Sequence, residues 1–318
     1  MATLKELARR PNRLTGGHRA CAGCAAPVVA RQVLLACQEP AVVGLATGCL
    51  EVTTTIYPYT AWGCSLIHNA FENVAATVSG AEAAYRALRR RGKIDREIRF
   101  IAFGGDGGTY DIGLQSLSGA LERGHRMLYV CYDNGAYENT GIQRSSATPR
   151  GASTTTSPAG KVLPGKRQPR KDLTGIAVMH NIPYVAQTTV AHWNDLTRKV
   201  EKALAVDGPA FLNVLAPCRL GWVTPPEETM ELAREAVECC FWPLYEVENG
   251  VWRLNYRPRE KKSYIEWMKR QGRFKHLFQP GLEALLADLQ AEVDERWRAL
   301  LVRCGEPLEE ERLQAVQG

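Results

Sequence analysis

Apolar and polar positions along this chain follow a repeating rhythm. Short apolar segments recur at Ala41–Ala46, Ile98–Phe103, Met127–Tyr132, Pro183–Gln187 and Ala210–Leu215. Runs of this kind suit strands buried on both faces, because neither face is left to be polar. Longer mixed segments lie between them: Ala25–Cys37, with Pro27 near its first turn, alanine-rich Asn69–Arg91, closed by Gly92, a stretch around Asp111–Arg123, then Leu173–His180 and His192–Ala205. Length, an early proline and a closing glycine predict helices there. Alternating strands and helices imply a parallel sheet covered on both faces. The fold class expected is α/β, a doubly wound, mostly parallel sheet of about five or six strands.

The rhythm breaks in two places. Residues 144–171 are dense in Ser, Thr, Pro, Gly, Lys and Arg and show no apolar period. A loop of that length inside a domain is functional or disordered. After Pro225-Pro226 the order changes again. Glu227–Cys240 reads as a helix, Val247–Tyr256 as a small hairpin around Glu248-Asn-Gly250, and Pro280 to about Gln314 as a charged helical tail. The expected division is a cofactor-binding domain over 1–225 and an arm over 226–318 that packs on the domain or on a partner. No internal repeat is apparent.

Composition narrows this little. The 318 residues are 45% hydrophobic and 23% charged, with a net charge of +6, ordinary values for a globular chain. Basic residues are spread out. Their densest runs, Arg89-Arg90-Arg91, Lys166-Arg167 with Arg170-Lys171, and Arg259-Glu260-Lys261-Lys262, read as solvated faces rather than a nucleic-acid site. A basic rim can still steer an anionic substrate or an acidic electron carrier. No apolar stretch approaches the roughly 20 residues that span a membrane, and the first ten residues lack the apolar core of a signal peptide. The expectation is a cytoplasmic protein without a membrane partner. Ten cysteines in that compartment argue for metal or redox chemistry rather than disulfides.

Two sets of residues carry candidate chemistry. Gly104-Gly-Asp-Gly-Gly108 follows the run Ile98–Phe103, and Asn134 follows Met127–Tyr132, with 26 residues between Gly107 and Asn134. Glycines let backbone N–H groups approach phosphate oxygens. Asp106 and Asn134 offer the hard oxygens that Mg²⁺ shares with phosphate and water. A dinucleotide loop needs a third glycine where Tyr110 stands, and a tight strand-to-helix turn is the plainest alternative. The spacing resembles the signature of thiamine-diphosphate enzymes.

The second set is Cys21-Ala-Gly-Cys24, Cys49 and Cys218. Four thiolates brought together can hold an iron–sulfur cubane or a structural zinc; a thioredoxin-type pair would follow a strand, and the segment before Cys21 is polar. Cys37, Cys64, Cys131, Cys239, Cys240 and Cys304 lie in helix or strand patterns and read as small packing residues.

Together the two sets resemble the β subunit (the thiamine-diphosphate-binding subunit) of the 2-oxoacid:ferredoxin oxidoreductases, the pyruvate:ferredoxin oxidoreductase group in particular. The resemblance rests on Cys21–Cys24, Thr47-Gly-Cys-Leu-Glu51, His68-Asn-Ala-Phe-Glu-Asn73, Gly105-Asp-Gly107, Asp133–Gly141 with Ile142-Gln-Arg144, Ala216-Pro-Cys218 and Gly272-Arg-Phe-Lys-His-Leu277. It implies that Asp106, Asn134 and the carbonyl of Ala136 hold Mg²⁺ on thiamine diphosphate. It implies that Gly105, Gly107, Thr47 and Gly48 line the cofactor pocket. Cys21, Cys24, Cys49 and Cys218 would ligate one 4Fe-4S cluster. Asn139 and Glu51 are the candidate catalytic residues, with His68 and Arg144 as further pocket candidates.

The implied reaction is oxidative decarboxylation of a small 2-oxoacid, pyruvate by default and oxalate or another as options, with electrons passed to ferredoxin. An α subunit would supply the glutamate that faces the cofactor's pyrimidine, and a ferredoxin-like subunit would carry electrons outward. Two other readings compete: a non-redox thiamine-diphosphate decarboxylase or synthase with a structural zinc, and a zinc-stabilised interaction protein whose glycine loop is only a turn.

Overall fold

Each of these apolar runs becomes a strand of one sheet in the computed structural model, which describes residues 2–160 and 164–308. The order along the chain begins with α1 (Leu4–Leu7), α2 (Ala26–Ala36), β1 (Ala41–Ala46), α3 (Cys49–Thr54), β2 (Ser65–Asn69), α4 (Val74–Arg90) and β3 (Arg99–Gly105). Next come a wide helical turn at Gly108–Ile112, α5 (Leu114–Glu122) and β4 (Leu128–Asp133). After the long loop follow α6 (Leu173–Val178), β5 (Tyr184–Thr189), α7 (Trp193–Ala205), β6 (Ala210–Leu215) and α8 (Arg219–Trp222). The remainder is α9 (Thr229–Glu238), β7 (Tyr245–Glu248), β8 (Val251–Leu254), α10 (Tyr264–Lys269), a 3₁₀ turn at Gly272–Leu277 and α11 (Glu283–Cys304).

The strands lie in the order β2-β1-β3-β4-β6-β5-β7-β8. The first six run parallel; β7 and β8 join antiparallel at one edge. Strands β4, β5 and β6 are buried along their whole length, as the unbroken apolar runs require. One apolar core lies between the sheet, α2 and α7. A second lies on the other face under α4, α5, α6 and α11. A third gathers Trp222, Trp242, Trp267 and Phe274 from the later part of the chain. Among the described residues, no helix is long and apolar enough to cross a membrane.

The structure corrects the expected elements in three places. The helix expected over Asn69–Arg91 starts at Val74, because Asn69 ends β2 opposite Ala46. Strand β2 was not expected at all: it is an edge strand and mostly accessible, so it needs no apolar run. The hairpin expected from Asn249-Gly250 forms, and it extends the main sheet by pairing Tyr245 with Gln187. The charged helix ends at Cys304; the expectation for the stretch to Gln314 falls partly outside the described residues.

Four neighbouring strands, β1, β3, β4 and β6, end at one side of the sheet. From their carboxyl ends leave Thr47-Gly48-Cys49, Asp106-Gly107, Asn134 and Ala216-Pro217-Cys218. The carboxyl edge of a parallel sheet is where α/β proteins bind ligands.

Candidate cofactor and metal site

The glycine loop leaves β3 directly into helical backbone, with Gly113 N–H donating to Gly108 O at 2.6 Å. This wide turn needs small residues. A Cβ on Gly107 would collide with the ring of Tyr137, so only glycine lets the β4 exit loop close over this turn. Asp106 is fully buried. Its Oδ1 accepts from the backbone N–H of Asn134 at 3.2 Å, and its Oδ2 accepts from Ser145 Oγ at 2.6 Å.

The Asn134 amide turns one end toward both Asp106 Oδ1, 2.7 Å away, and the Ala136 carbonyl oxygen, 3.0 Å away. With its NH₂ group there, the amide satisfies both acceptors within the protein. With its oxygen there, three oxygens face one point, the arrangement a hard cation requires. The predicted ligands Asp106, Asn134 and Ala136 are therefore brought together, and they fit Mg²⁺ by the chemistry of the donor set. Burial, then the neighbouring charge of Asp133, raises the Asp106 carboxyl well above the ordinary range, opposed by the hydrogen bonds from Ser145 and Asn134. A bound cation would reverse that bias.

A groove beside this point is lined by Thr47, Gly48, Gly105, Gly107 and Asn139, with Phe71 across from them. Thr47 Oγ1 donates to Asn69 O at 2.9 Å and lies 3.3 Å from His68 Nε2. Buried Tyr132 sits against Gly48 and Gly105, and its hydroxyl meets no hydrogen-bond partner of ordinary geometry. An orphaned buried donor of this kind fits a groove that receives a polar group. Glu51 is not among the residues lining the groove: its Oε1 accepts from Thr55 Oγ1 at 2.8 Å and lies 3.4 Å from His68 Nε2. Arg144 is exposed. Cys64 packs against the first core.

Cys21, Cys24, Cys49 and Cys218 are all free thiols, and each lies within electrostatic reach of another. The Cys21–Cys24 turn closes through Cys24 N–H to Cys21 O at 3.0 Å. Gly23 in this turn has φ +74, and a Cβ there would strike Pro226. Cys49 begins α3. Cys218 precedes α8, where Gly221 N–H donates to its sulfur at 3.4 Å. Burial pushes the Cys49 thiol up to about 12, with the charges of Cys24 and Glu138 adding to the rise and Asn139 opposing it. Burial likewise raises Cys24 and Cys218. Among the described residues, no three His, Cys, Asp or Glu side chains stand close enough to enclose a single metal ion. Four soft thiols are the donor set that an iron–sulfur group takes, and they fit it by their chemistry.

Glu138 was missed as a site residue. Both of its carboxylate oxygens are buried without a hydrogen-bond partner of ordinary geometry. Burial pushes its carboxyl up to about 7, opposed by the Arg273 charge and the Cys218 thiol. It lines the groove and neighbours Cys49 and Cys218. Nothing in the sequence marks it beyond a charge inside a Gly/Asn-rich motif. The long loop, expected to be functional or disordered, is ordered where Ser145 reaches Asp106.

Comparison with known proteins agrees with this geometry. Residues 46–214 match the family model of the thiamine pyrophosphate enzyme, C-terminal TPP binding domain. The chain is 54% identical over 295 residues to pyruvate synthase subunit PorB of Thermotoga maritima, covering 91% of each chain. It is 45% identical to pyruvate synthase subunit PorB of Pyrococcus furiosus, covering 93% of this chain and 95% of the relative. Ketoisovalerate oxidoreductase subunit VorB of Pyrococcus abyssi is 43% identical, with 89% of this chain and 91% of that one covered. Among solved structures, a 2-oxoglutarate:ferredoxin oxidoreductase from Magnetococcus marinus shares the fold, with a TM-score of 0.55 at 18% identity over 73% of this chain and 83% of that one.

Proposed function

Because the chain belongs to the family of 2-oxoacid:ferredoxin oxidoreductase β subunits that includes pyruvate synthase subunit PorB, we propose that it acts on pyruvate within a multi-subunit enzyme. On this reading Mg²⁺ is held by Asp106, Asn134 and the Ala136 carbonyl, and one 4Fe-4S cluster by Cys21, Cys24, Cys49 and Cys218. The observation that carries it is that Cys49, Asp106, Asn134 and Cys218 leave the carboxyl ends of four neighbouring strands, with the Cys21–Cys24 turn within electrostatic reach of Cys49. Bound thiamine diphosphate supplies an electron sink that allows a 2-oxoacid to lose CO₂.

The chain's own residues then have definite tasks. Asp106, Asn134 and the Ala136 carbonyl would hold the metal that a diphosphate needs. The small residues Gly48, Gly105 and Gly107 let the backbone come close. Asn139, which lines the groove and is exposed, would donate a hydrogen bond to a reacting oxygen. Cys21, Cys24, Cys49 and Cys218 would hold the cluster, which would supply an electron acceptor for the oxidative reaction. An α subunit would contribute the pyrimidine-side glutamate, since Glu51 is committed to Thr55 and His68. A ferredoxin-like subunit and an external ferredoxin would take the electrons onward. Of the arm expected over 226–318, residues 226–308 would offer surface for that assembly.

A branched 2-oxoacid is the second reading, supported by the similarity to VorB. Oxalate has less support. Lys166 and Arg170, the buried cations of the basic loop, are committed to protein partners and do not offer a dianion site. The test is methyl viologen reduction by the anaerobically purified complex, with coenzyme A and either pyruvate or 2-oxoisovalerate, and with oxalate alone. A kcat/KM for pyruvate at least tenfold above the others supports the reading; a preference for the branched acid or for oxalate overturns the substrate assignment. A colourless preparation overturns the cluster.

A further inference from the structure

The loop over residues 144–171 is clamped onto the metal site by a small set of polar contacts. Ser145 Oγ accepts from Ala147 N–H at 3.1 Å and donates to Asp106 Oδ2 at 2.6 Å. Its backbone N–H donates to Thr148 Oγ1 at 3.0 Å, and Thr148 Oγ1 in turn donates to Gly135 O at 2.6 Å. The turn 145–148 thus touches both the glycine loop after β3 and the exit loop after β4. Two cations from the far end of the same loop hold it there. Lys166 Nζ donates to Ser146 O at 3.1 Å and Thr148 O at 2.6 Å, and Arg170 donates to Ala147 O at 2.9 Å. Three successive carbonyls are captured, so the turn has little freedom to shift.

We propose that Ser145 is a positioning residue for the metal carboxylate: it occupies Asp106 Oδ2 and so presents Oδ1 to the cation. The inference rests on the reading of Asp106 as the Mg²⁺ ligand. Its logic is proton accounting. A serine hydroxyl has one proton. An ionised carboxylate can only accept, so that one proton goes to Asp106 Oδ2 while Ala147 N–H meets a lone pair of the hydroxyl. Asp106 Oδ1 then faces Asn134 and Ala136. Hydrogen-bond partners of metal-ligating carboxylates fix ligand orientation, and their loss costs about 10–100-fold in metal affinity. The loop end at Lys166 and Arg170 holds Ser145 in place without touching the metal ligands.

The experiment uses the anaerobically purified complex stripped of thiamine diphosphate and Mg²⁺. Thiamine-diphosphate binding is titrated by quenching of protein fluorescence, with Mg²⁺ varied at fixed cofactor and then held at saturation. Ser145→Ala is expected to raise the half-saturating Mg²⁺ concentration by about 10–100-fold while cofactor affinity at saturating Mg²⁺ stays within about threefold. Ser145→Thr, which keeps the hydroxyl, restores the metal requirement. Ser145→Cys, a weaker donor of similar size, reads the same loss should alanine unfold the turn. An unchanged metal requirement in Ser145→Ala and Ser145→Cys overturns the inference. So does a loss of cofactor affinity that saturating Mg²⁺ does not repair, the mark of a merely structural role. Wild-type binding that is indifferent to Mg²⁺ overturns the metal reading itself and the inference with it.

Discussion

Arg170→Met is the most informative perturbation of the clamp. Arg170 is nearly buried, and its partner Asp133 is fully so. Its guanidinium donates to Asp133 Oδ2 at 2.5 Å and Oδ1 at 3.3 Å, to Ala147 O at 2.9 Å and to the Tyr110 hydroxyl. It also lies 4.6 Å from the Trp242 ring centroid. Methionine fills similar space but strands the Asp133 charge, a loss of about 3–5 kcal/mol. The orphaned Ala147 carbonyl costs about 1–3 kcal/mol, and the lost cation–π contact about 0.5–2 kcal/mol. These effects share one side chain and do not add, so about 4 kcal/mol is a sensible total. At about 2.1 cal/mol/K of unfolding entropy per residue over 318 residues, each kcal/mol is worth about 1.5 °C, so the melting temperature of the cofactor-stripped complex should fall by about 6 °C. Arg170 also offsets the negative pair of Asp106 and Asp133. Without it Asp106 holds its proton more tightly, and Mg²⁺ binding weakens. Scanning fluorimetry checks the first effect. The double variant Asp133→Asn with Arg170→Met checks its cause: removing the stranded charge should recover part of the loss. A drop below about 2 °C, or a double variant no more stable than Arg170→Met, refutes the reasoning.

Other expectations follow from the same geometry. Asp106→Ala should abolish Mg²⁺-dependent binding of thiamine diphosphate and leave the visible absorption of the cluster; retained cofactor binding would remove Asp106 from the metal site. Cys218→Ser should lose that absorption while Cys304→Ser, at the end of α11, keeps it, and equal spectra for the two would return Cys218 to packing. Gly107→Ala drives a Cβ into the Tyr137 ring, costing about 1–3 kcal/mol and loosening cofactor binding; a calorimetric titration matching wild type would show that the loop has room. Burial lowers the Lys166 ammonium to about 8, below its unfolded value near 10.4. Between those values the unfolded chain binds more protons, so the Lys166 contribution to stability rises with pH over that window. The stability difference between wild type and Lys166→Met, followed by urea unfolding, should therefore grow from pH 8 to 10, and a flat difference would contradict the burial of that charge.

The sequence revealed what local chemistry alone determines. Strands β1, β3, β4, β5 and β6 were legible because burial on both faces leaves no polar positions. The hairpin turn was legible because Asn249 and Gly250 both adopt positive φ, which that residue pair accepts at low cost. Asp106, Asn134 and the four cysteines stood out because the two motifs occur together and jointly resemble one family, which neither does alone. Strand β2 was hidden because its partner β1 supplies the order and its own residues stay accessible. Ser145, Lys166 and Arg170 were hidden for a different reason. Their partners lie on other elements, and a Ser/Thr/Lys/Arg-rich segment has the same composition whether it is solvated or clamped. Glu138 belongs with them: its burial is set by Gly221 of α8, where any Cβ would meet its carboxylate.

The later part of the chain also bears on the site. Trp222 Nε1 donates to Asn134 O at 2.6 Å, and the Arg273 guanidinium stacks 3.9 Å from the Trp222 ring centroid. Asn134 is thus braced from behind by residues past the last parallel strand. In the same region Tyr132 Oη, both Glu138 oxygens and Arg273 Nη2 are buried without partners of ordinary geometry. Each such atom costs about 1–3 kcal/mol when left unsatisfied, a large share of a typical net stability of about 5–15 kcal/mol. Tyr132 and Glu138 line the groove, which makes sense if folding leaves them for ligands to satisfy. Stability and cofactor loading are then linked: a ligand at 100 times its Kd adds about 2.7 kcal/mol, and the polar groups that cost most in the empty chain are those that gain most when it is filled.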